Sequence, residues 1–577
     1  MKQLTRYFKG FYKELVLGPI FKLAEAILEL FIPLLMANII DIGIKNSDKM
    51  YIITHGFWML LLGAIGLCFA LICQYFAAVC AQGFGASLRK ELFRHVFSLS
   101  QAETGVIGTN SLITRLTNDV NQVQTGVNMF IRLAVRAPFL AIGSIVMAIG
   151  INPKIGIIFL VSTPLIVAVL YVIMRCSVPF YAEIQAKQDG IAQLAGENLT
   201  GTRVIRAFSK QKSEIAQFDA AGDALAIATI RVGKISMALN PITSVIVNVA
   251  MIAIIWFGGG MVNVGTLAQG QLLALVSYMT QTLLALIVLA NLIVVFTKAI
   301  ASAQRVCAIF DTQNSMRTPE KSAKTHEYAP AIAFENVSFA YPHSGESAVE
   351  EIDFTLPKGK TLGIIGGTGC GKSTLVKLLS REYDVTKGRV LLEGVDVKKL
   401  SATDLHAKIG IVPQTAVLFS GTVRDNLSLG TQQASDATLW QALAVAQGKD
   451  FVEKMPNGLD TMLFEGGKNL SGGQKQRLTI ARALVHAPQI LVLDDAASAL
   501  DYATDAALRK ALQTMPQRLT TILISQRAAS LKNAYRILVL EDGKMVGFDT
   551  HAALLQTCCI YREICKSQGI VQDEVLQ

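Results

Sequence analysis

A glycine-rich segment in the second half of the chain has residue types that suit phosphate binding. A short apolar strand pattern at 361–365 precedes it, and a helical run follows at 375–379. Glycines let backbone N–H groups close around phosphate oxygens at a helix N-terminus. The spacing G-x4-G-K-S predicts a phosphate-binding loop in which Lys372 reaches the β- and γ-phosphates and Ser373 binds Mg²⁺. The loop consists of Gly366, Gly367, Thr368, Gly369, Cys370, Gly371, Lys372, Ser373 and Thr374.

Two further segments belong with this loop. The apolar run 489–493 has the pattern of a buried strand and ends in Asp494. A carboxylate in that place can hold Mg²⁺ through water, as a Walker B aspartate does. Alone the run is weak support, but beside the loop it is strong. The segment 470–477, Leu-Ser-Gly-Gly-Gln-Lys-Gln-Arg, is one that no generic phosphate-loop enzyme needs.

The segment 470–477 matches the signature motif of the ATP-binding cassette (ABC) proteins. The chain resembles a half-transporter of the exporter type over nearly its whole length. The resemblance implies that each ATP lies between the phosphate loop of one chain and the signature of a second, so two chains must pair. It implies that the ATP held by a partner is bound by Ser471, Gly472, Gly473 and Gln474. The remaining motif residues are Tyr341 for adenine stacking, Gln414 as Q-loop glutamine and Mg²⁺ ligand, Glu465 for contact with the spans, and Asp501 of the D-loop.

Composition limits the class of protein. The chain has 577 residues, too many for one hydrophobic core, so two or more domains are expected. Of these residues 52% are hydrophobic and only 17% are charged, and the mean hydropathy is +0.43. Such a chain is too apolar for a soluble protein of this size. The net charge of +10 fits basic cytoplasmic loops better than nucleic-acid binding, because no Lys/Arg-rich block stands out. The nine cysteines show no zinc spacing and are expected to be free thiols.

Six apolar stretches are long enough to cross a membrane, at about 15–40, 54–82, 127–150, 154–178, 241–263 and 271–297. The links after the second and fourth stretches are long and basic, and the N-terminal segment is basic too. The positive-inside rule makes these parts cytoplasmic. We therefore expect a multi-pass protein of the plasma membrane, from a bacterium, with both termini in the cytoplasm.

The predicted fold is an α-helical six-span transmembrane domain followed by an α/β P-loop ATP-binding cassette domain. The predicted bounds are 1–300 for the transmembrane domain, 301–328 for a linker and 329–577 for the nucleotide-binding domain. The two long links are expected to reverse at polar turns near 105–110 and 198–203. Segments 114–120 and 201–208 resemble the family, and Arg115 and Arg203 are coupling candidates. The alternative is a solvated loop.

Charges inside the expected spans are costly in a membrane and often functional. Glu25 and Glu29 are four residues apart, and so are Arg132 and Arg136. One hypothesis is a polar substrate cavity whose carboxylates favour cationic ligands. The alternatives are Glu–Arg pairs between helices, or basic side chains that snorkel to the interface.

Two positions depart from the family pattern. Asp495 replaces the catalytic glutamate after Asp494, and its shorter side chain ends about 1–1.5 Å short. Gln526 replaces the switch histidine, and an amide is never cationic. A misplacement of about 1 Å can cost roughly 100-fold in rate. The resemblance then implies a heterodimer, in which this chain holds a degenerate ATP site and its partner supplies the catalytic glutamate and histidine. Neutral drift in a working site is the alternative.

The expected function is that of one subunit of a heterodimeric, ATP-hydrolysing exporter, similar to bacterial multidrug pumps. The expected cofactors are ATP and Mg²⁺, and the expected partners are a second half-transporter, membrane lipid and a hydrophobic or amphipathic substrate, with no nucleic acid. Two alternatives stay open: a lipid, peptide or siderophore transporter on the same fold, and a regulatory subunit that senses nucleotide.

Overall fold

The computed structural model describes the chain except for residues 1, 317–318, 320, 343, 432–433, 516–518 and 571–577. It divides into two compact units. The membrane unit comprises Met1–Phe97 and Thr109–Thr312, and the nucleotide unit comprises Ser98–Gly108 and Gln313–Gln577. Both termini were expected in the cytoplasm, and residue 1 and residues 571–577 lie outside the described residues.

Six long helices of the membrane unit are apolar enough to cross a membrane, within the part of the chain that the structure describes. Several are far longer than a bilayer requires: α2 has 50 residues and α7 has 48. At 1.5 Å per residue such helices extend about 70–75 Å, against a hydrocarbon core of about 30 Å, so they continue outside the membrane. The first eleven helices of the chain are α1 (Tyr12–Asn38), α2 (Lys49–Ser98), α3 (Gln101–Ile107), α4 (Thr109–Thr114), α5 (Val120–Met129), α6 (Arg136–Ile151), α7 (Pro153–Thr200), α8 (Thr202–Ala207), α9 (Gln211–Met237), α10 (Leu239–Asn263) and α11 (Gln269–Asp311). All of them belong to the membrane unit except α3, which lies in the nucleotide unit.

Three π-helical segments interrupt the regular α-helix: Ile39–Ile44 after α1, Arg115–Asp119 between α4 and α5, and Phe130–Ala134 between α5 and α6. A π-turn has one more residue than an α-turn, so it rotates the face of the side chains that follow. Arg132 lies in the third segment and Arg136 begins α6. A spacing of four residues would place both arginines on one face of a regular α-helix, and the π-helical segment interrupts that face.

The two turns expected near 105–110 and 198–203, here called the elbows, contain short helices. The Ser100 hydroxyl and the Glu103 carboxylate form a capping box at the start of α3, and Gly108 follows α3 with φ +81°. Within the nucleotide unit, Asn314 donates to the Ser98 carbonyl at 2.6 Å, and the Ser315 N–H donates to Glu103 at 3.2 Å. The second elbow is α8, and it belongs to the membrane unit.

The linker expected at 301–328 begins later than predicted. Helix α11 continues to Asp311, because Ala299, Ala303, Val306 and Ile309 stay buried at helical spacing. The expected boundary at 300 therefore falls inside a helix. Positions 317, 318 and 320 of that linker lie outside the described residues.

The nucleotide unit is built on a ten-stranded sheet with strand order β5-β4-β1-β2-β12-β11-β3-β10-β9-β6. Strands β11, β3, β10, β9 and β6 run parallel, while β1 pairs antiparallel with β2 and β4. A two-stranded ribbon, β7-β8, lies apart from it. The strands are β1 (Ile332–Phe339), β2 (Val349–Leu356), β3 (Thr361–Gly366), β4 (Lys387–Leu392), β5 (Val395–Asp396), β6 (Ile409–Val412), β7 (Gly421–Thr422), β8 (Met462–Leu463), β9 (Ile490–Asp494), β10 (Thr520–Ile524), β11 (Arg536–Glu541) and β12 (Lys544–Asp549).

Both faces of the parallel strands are covered. Along β10, Ile522 and Ile524 pack into one apolar cluster and Leu523 packs into the other. Successive strand residues point to opposite faces, so the continuous apolar run of β10 is what a doubly covered strand requires. The helices of the unit are α12 (Lys372–Leu379), α13 (Ala402–Lys408), α14 (Val423–Leu427), α15 (Asp436–Val445), α16 (Lys449–Glu453), α17 (Gly472–Val485), α18 (Tyr502–Gln513), α19 (Ala528–Leu531), α20 (His551–Thr557) and α21 (Cys559–Ser567).

Candidate functional site

The phosphate loop joins the carboxyl end of β3 to the N-terminus of α12. Gly369 and Gly371 have φ of +84° and +99°, which side-chain-bearing residues rarely adopt. A Cβ on Gly371 would lie 2.7 Å from the Ala348 carbonyl oxygen, and one on Gly366 would lie 2.2 Å from that of Leu540. The glycines are therefore required by backbone conformation and by close packing.

Lys372 folds back over its own loop. Its ammonium donates to the carbonyls of Gly366 at 3.0 Å and Gly367 at 2.5 Å, and lies 3.6 Å from Cys370 Sγ. The Cys370 side chain is buried beneath the loop. The lysine charge thus stands at the centre of the loop, where it can meet an anion.

Asp494 ends β9 beside the loop and is buried. Burial raises the pKa of its carboxyl, and a hydrogen bond from the Ser373 hydroxyl only partly opposes this. The cause is desolvation, which disfavours the charged form. A buried carboxylate beside a hydroxyl is a hard oxygen donor set, and a divalent cation such as Mg²⁺ would relieve its charge.

Asp495 follows with φ +47° and is also buried. Burial and then the adjacent Asp494 carboxylate raise the pKa of Asp495. Gln526 follows β10, and its Nε2 donates to Asp495 Oδ2 at 3.4 Å. The parallel pairing of Ile524 with Asp494 places these two strand ends side by side.

One open cavity of about 190 Å³ collects the predicted residues from four separate segments. The loop, β9, β10 and the segment after β6 all contribute, which is the crevice at the carboxyl ends of parallel strands. Its walls are Thr368, Gly369, Gly371, Lys372, Ser373, Thr374, Gln414, Asp494, Asp495, Ile524 and Gln526.

Tyr341 lies beside α12. Its hydroxyl is 3.1 Å from Thr374 Oγ1, its ring meets Tyr383 edge-on at 5.3 Å, and the Lys377 ammonium lies 5.3 Å from its ring centroid. The ring is therefore fixed next to the loop by three contacts.

The signature segment forms the N-terminus of α17. Ser471 and Gln474 make a capping box: the Gln474 N–H donates to Ser471 Oγ at 3.3 Å, and the Ser471 N–H donates to Gln474 Oε1 at 2.9 Å. Gly472 is exposed and Gly473 is partly exposed. Two residues further on, buried Gln476 donates to the Pro413 carbonyl at 3.3 Å, so α17 is tied to the segment that carries Gln414.

Asp501 caps α18 in the same way. Its carboxylate accepts from the Thr504 N–H at 2.8 Å and from the Thr504 hydroxyl at 2.9 Å, and these bonds lower the pKa of Asp501. The side chain is exposed, and it is held in a fixed direction.

Comparison with known proteins covers both units. The profile for the ABC transporter transmembrane region matches residues 15–286, and the profile for ABC transporter matches residues 349–498. An ABC transporter ATP-binding protein of Mycobacterium tuberculosis, named as uncharacterised, is 34% identical over 98% of both chains. The chain belongs to the ABC transporters.

Other relatives of this ABC transporter are similar in length. An uncharacterised ABC transporter ATP-binding protein of Bacillus subtilis is 35% identical over 95% of both chains. An ATP-dependent lipid A-core flippase of Hahella chejuensis is 31% identical over 86% of this chain and 84% of its own. A bacterial Atm1-family ABC exporter with ATP bound has the same fold, with a TM-score of 0.82 at 24% identity over 96% of this chain and 99% of that one.

These findings confirm the predicted fold class, a six-span helical domain followed by an ABC cassette. They also establish an ATP-binding, ATP-hydrolysing, multi-pass membrane transporter. The roles assigned to single residues stay predictions. Glu465 begins an exposed turn, Arg203 is exposed in α8 and Arg115 is half-buried.

Three of the four charged residues predicted inside the spans of this ABC transporter, Glu25, Glu29 and Arg136, form ion pairs. Arg136 on α6 donates to Glu29 on α1 at 2.8 Å and lies 4.0 Å from Glu25, which accepts from Lys22 at 2.6 Å. This is the pairing between helices that the sequence left open as an alternative. The substrate-cavity hypothesis for Glu25, Glu29, Arg132 and Arg136 stays a prediction.

Sequence reasoning missed two groups of contacts. Asp119 on the membrane unit is 1% exposed and accepts from Arg305 Nε at 2.8 Å, across 186 residues of sequence. Gln568, after α21, contacts the Gln526 carbonyl at 2.7 Å. Neither pair is adjacent in a motif, so only the folded chain reveals them.

Proposed function

We propose that this chain is the degenerate-site subunit of a heterodimeric exporter. Its own phosphate loop binds ATP and hydrolyses it slowly, and its signature completes a competent ATP site on a partner chain. The observation that carries the proposal is that Asp495 and Gln526 line the same cavity as an unaltered set of binding residues. The change is thus confined to the two positions that act on water.

The geometry at Asp495 supports slow hydrolysis. The carboxyl is buried, its pKa is raised, and its Oδ2 is already engaged by the Gln526 amide at 3.4 Å. A general base must reach the proton that it removes, and Asp is one methylene shorter than the Glu expected here. Gln526 can donate a hydrogen bond to a γ-phosphate but cannot carry a proton at neutral pH.

Binding requires less of the site. Lys372 would meet the β- and γ-phosphates, and Ser373, Gln414 and Asp494 would hold Mg²⁺, which neutralises phosphate charge when bound. Tyr341 would stack on adenine. For the partner's ATP, the capped N-terminus of α17 offers the Ser471 hydroxyl and the N–H groups of a helix end.

The signature differs from the phosphate loop in one respect that supports pairing. It is exposed, fixed by its capping box, and has the full family sequence. A ligand for it must come from a second chain. We infer that ATP binding closes two cassettes, and that turnover at the partner's site resets the transporter.

The proposed location is the plasma membrane, with the nucleotide unit in the cytoplasm where ATP is available. The basic long links support this orientation. The proposed cargo is a hydrophobic or amphipathic compound. A lipid is the second candidate, favoured by the 31% identity with the lipid A-core flippase of Hahella chejuensis.

The test is ATPase activity of the purified chain, alone and co-expressed with the product of the neighbouring gene. We expect the lone chain to be nearly inactive and the pair to be active. Asp495→Glu with Gln526→His should raise turnover of the pair. Brisk hydrolysis by the lone chain would overturn the asymmetry.

A second experiment separates the role of the signature, which serves the partner's ATP, from the role of this chain's own phosphate loop. Ser471→Ala should stop most turnover of the pair, while photolabelling of this chain by 8-azido-ATP is retained. Lys372→Ala should do the reverse, with labelling lost and partial turnover retained. Complete loss of turnover in Lys372→Ala would show that this chain's own site is required in every cycle. Cargo is scored separately, by uptake of ethidium or a fluorescent phospholipid into inside-out vesicles.

A further inference from the structure

The segment after β10, residues 525–528, is held in place by one hydrogen bond within the segment and by contacts with residues outside it. The Arg527 N–H donates to Ser525 Oγ at 3.0 Å, and the Arg527 guanidinium lies 4.5 Å from the Tyr502 ring centroid. Gln526 itself is exposed at the cavity and donates to Asp495 at 3.4 Å. We call residues 525–528 the switch segment. The position of its backbone decides where the Gln526 amide lies.

Gln568 forms hydrogen bonds to the switch segment through both the nitrogen and the oxygen of its side-chain amide. Its Nε2 donates to the Gln526 carbonyl at 2.7 Å, and its Oε1 accepts from the Ala528 N–H at 2.8 Å. The two bonds lie on either side of Arg527. A reversed amide would set donor against donor and acceptor against acceptor, so the orientation is fixed by its partners.

The backbone of Gln568 is rigid although its side chain is exposed. Helix α21 ends in a Schellman motif: Gly569, with φ +67°, donates to the Lys566 carbonyl at 3.0 Å, and Ile570 donates to the Cys565 carbonyl at 3.0 Å. Ile570 packs against the same apolar cluster that contains Cys565. The turn that carries Gln568 is therefore fixed by three different interactions.

Helix α21 is in turn anchored in the core. Tyr561 and Cys565 are fully buried, and the Tyr561 hydroxyl is 2.7 Å from His551 Nδ1. An exposed glutamine normally gains little by ordering its side chain, because its rotamer entropy opposes a fixed geometry. Here a buried helix presents it with two partners already aligned.

We propose that Gln568 is a positioning residue, which sets the distance between the Gln526 amide and the γ-phosphate of ATP in this chain's own site. The proposal rests on the proposed placement of ATP in the cavity. It predicts that the C-terminal helix controls how well this site distinguishes ATP from ADP, because only ATP has the γ-phosphate that Gln526 would meet. A purely structural role is the alternative, since Oε1 also caps the first N–H of α19, whose N-cap Arg527 has no side-chain cap.

Two substitutions of Gln568 separate these roles. Gln568→Glu keeps the acceptor for the Ala528 N–H but removes the donor to the Gln526 carbonyl. Gln568→Ala removes both. The matched control is Ser567→Ala, one residue earlier, whose hydroxyl donates to the Ile564 carbonyl of its own helix.

The measurement uses the purified full-length chain together with whichever partner co-purifies. Labelling by 8-azido-ATP is scored on this chain's band, and displacement by ATP and by ADP gives the two apparent affinities. We expect both Gln568 variants to lower the preference for ATP over ADP by about threefold to tenfold, as for the loss of one hydrogen bond. The ADP affinity and the Ser567→Ala control should not change.

Three other results would contradict the positioning role. Retention of the preference in Gln568→Glu, with loss in Gln568→Ala, would identify a cap and overturn the positioning role. Retention in both would also overturn it. Gln526→Ala must lower the preference by itself and must abolish any further effect of Gln568→Ala. If Gln526→Ala changes nothing, the placement of Gln526 at the γ-phosphate fails and this inference fails with it, whereas the proposed function is overturned separately, by brisk hydrolysis in the lone chain.

Discussion

The carboxylates between the membrane helices and those at the ATP site of the nucleotide unit have different partners. In the membrane unit, Asp119 accepts two hydrogen bonds from Arg305, and Glu29 accepts one from Arg136. In the nucleotide unit, Asp494 and Asp495 are adjacent and buried, and burial raises the pKa of both. Lys372 meanwhile donates to loop carbonyls rather than to either carboxylate. The two membrane-unit carboxylates form ion pairs, and so do buried Glu393 and Asp505 elsewhere in the nucleotide unit. Asp494 and Asp495 instead have neutral donors, Ser373 and Gln526, and no ion pair among the described residues.

The difference shows which positions serve folding and which serve chemistry. A buried carboxylate without a cation is unfavourable in the free protein, and such groups persist where a ligand or reaction uses them. A carboxylate paired across 186 residues instead stabilises the tertiary arrangement. The comparison makes predictions of opposite sign for the same chemical change.

The largest expected effect is on nucleotide binding. Lys372→Ala should weaken ATP binding at this chain about 10- to 100-fold, since bonds to charged groups contribute about 1.5–3 kcal/mol. The apparent Tm should change little, because Lys372 is not buried and its lost bonds are to two carbonyls of its own loop, Gly366 and Gly367. Displacement of 8-azido-ATP measures the first and thermal unfolding the second. The exposed Lys387→Ala is the control, and a matching loss there would contradict a specific role.

In the membrane unit, removal of the cation should act on stability instead. Arg305→Ala leaves the Asp119 carboxylate buried without its partner, which should destabilise by roughly 3 kcal/mol. ATP binding should stay unchanged. Thermal unfolding in detergent checks this against Lys298→Ala, an exposed lysine on the same helix. Equal Tm values for the two variants would refute the pairing.

Asp→Asn at the two sites should shift stability in opposite directions. Asp119→Asn should lower the apparent Tm by a few degrees, because the ion pair with Arg305 is lost and the amide nitrogen cannot accept the second hydrogen bond. Asp495→Asn should raise it slightly, because burial and Asp494 disfavour the Asp495 charge. Asparagine also adopts positive φ readily, so the backbone is not a confounding cause. The same sign at both positions would break the comparison.

The gain in Asp495→Asn should depend on pH. The folded pKa of Asp495 lies above its unfolded value of 3.8, so the charge penalty is absent below 3.8 and complete above the folded pKa. The Tm difference between variant and parent should therefore shrink as pH falls from 7.5 to 4.5. A difference that grows at low pH would mean that the carboxylate is stabilising.

Motifs within one segment were predictable from sequence, and contacts between distant segments were not. The phosphate loop, the signature and Asp494 lie at strand or helix ends whose local patterns are strong. Gln526 could be found because β10 has an obvious apolar run. The partners of Asp119 and Gln568 depend on packing across 186 and 42 residues, which no local spacing encodes. The predicted boundary at 300 follows the end of the long apolar run, whereas α11 continues to Asp311 because it still buries one helical face.

The backbone at Asp495 has a consequence for the history of this site. Its φ of +47° is one that aspartate and asparagine adopt several-fold more often than longer side chains. Aspartate and glutamate codons differ only in the third base, so a return to glutamate is a single mutational step. We expect that step to speed hydrolysis and to lower the stability of the fold, because glutamate adopts a positive φ less readily than aspartate. A lineage in which the partner chain already supplies turnover would have little to gain from taking it.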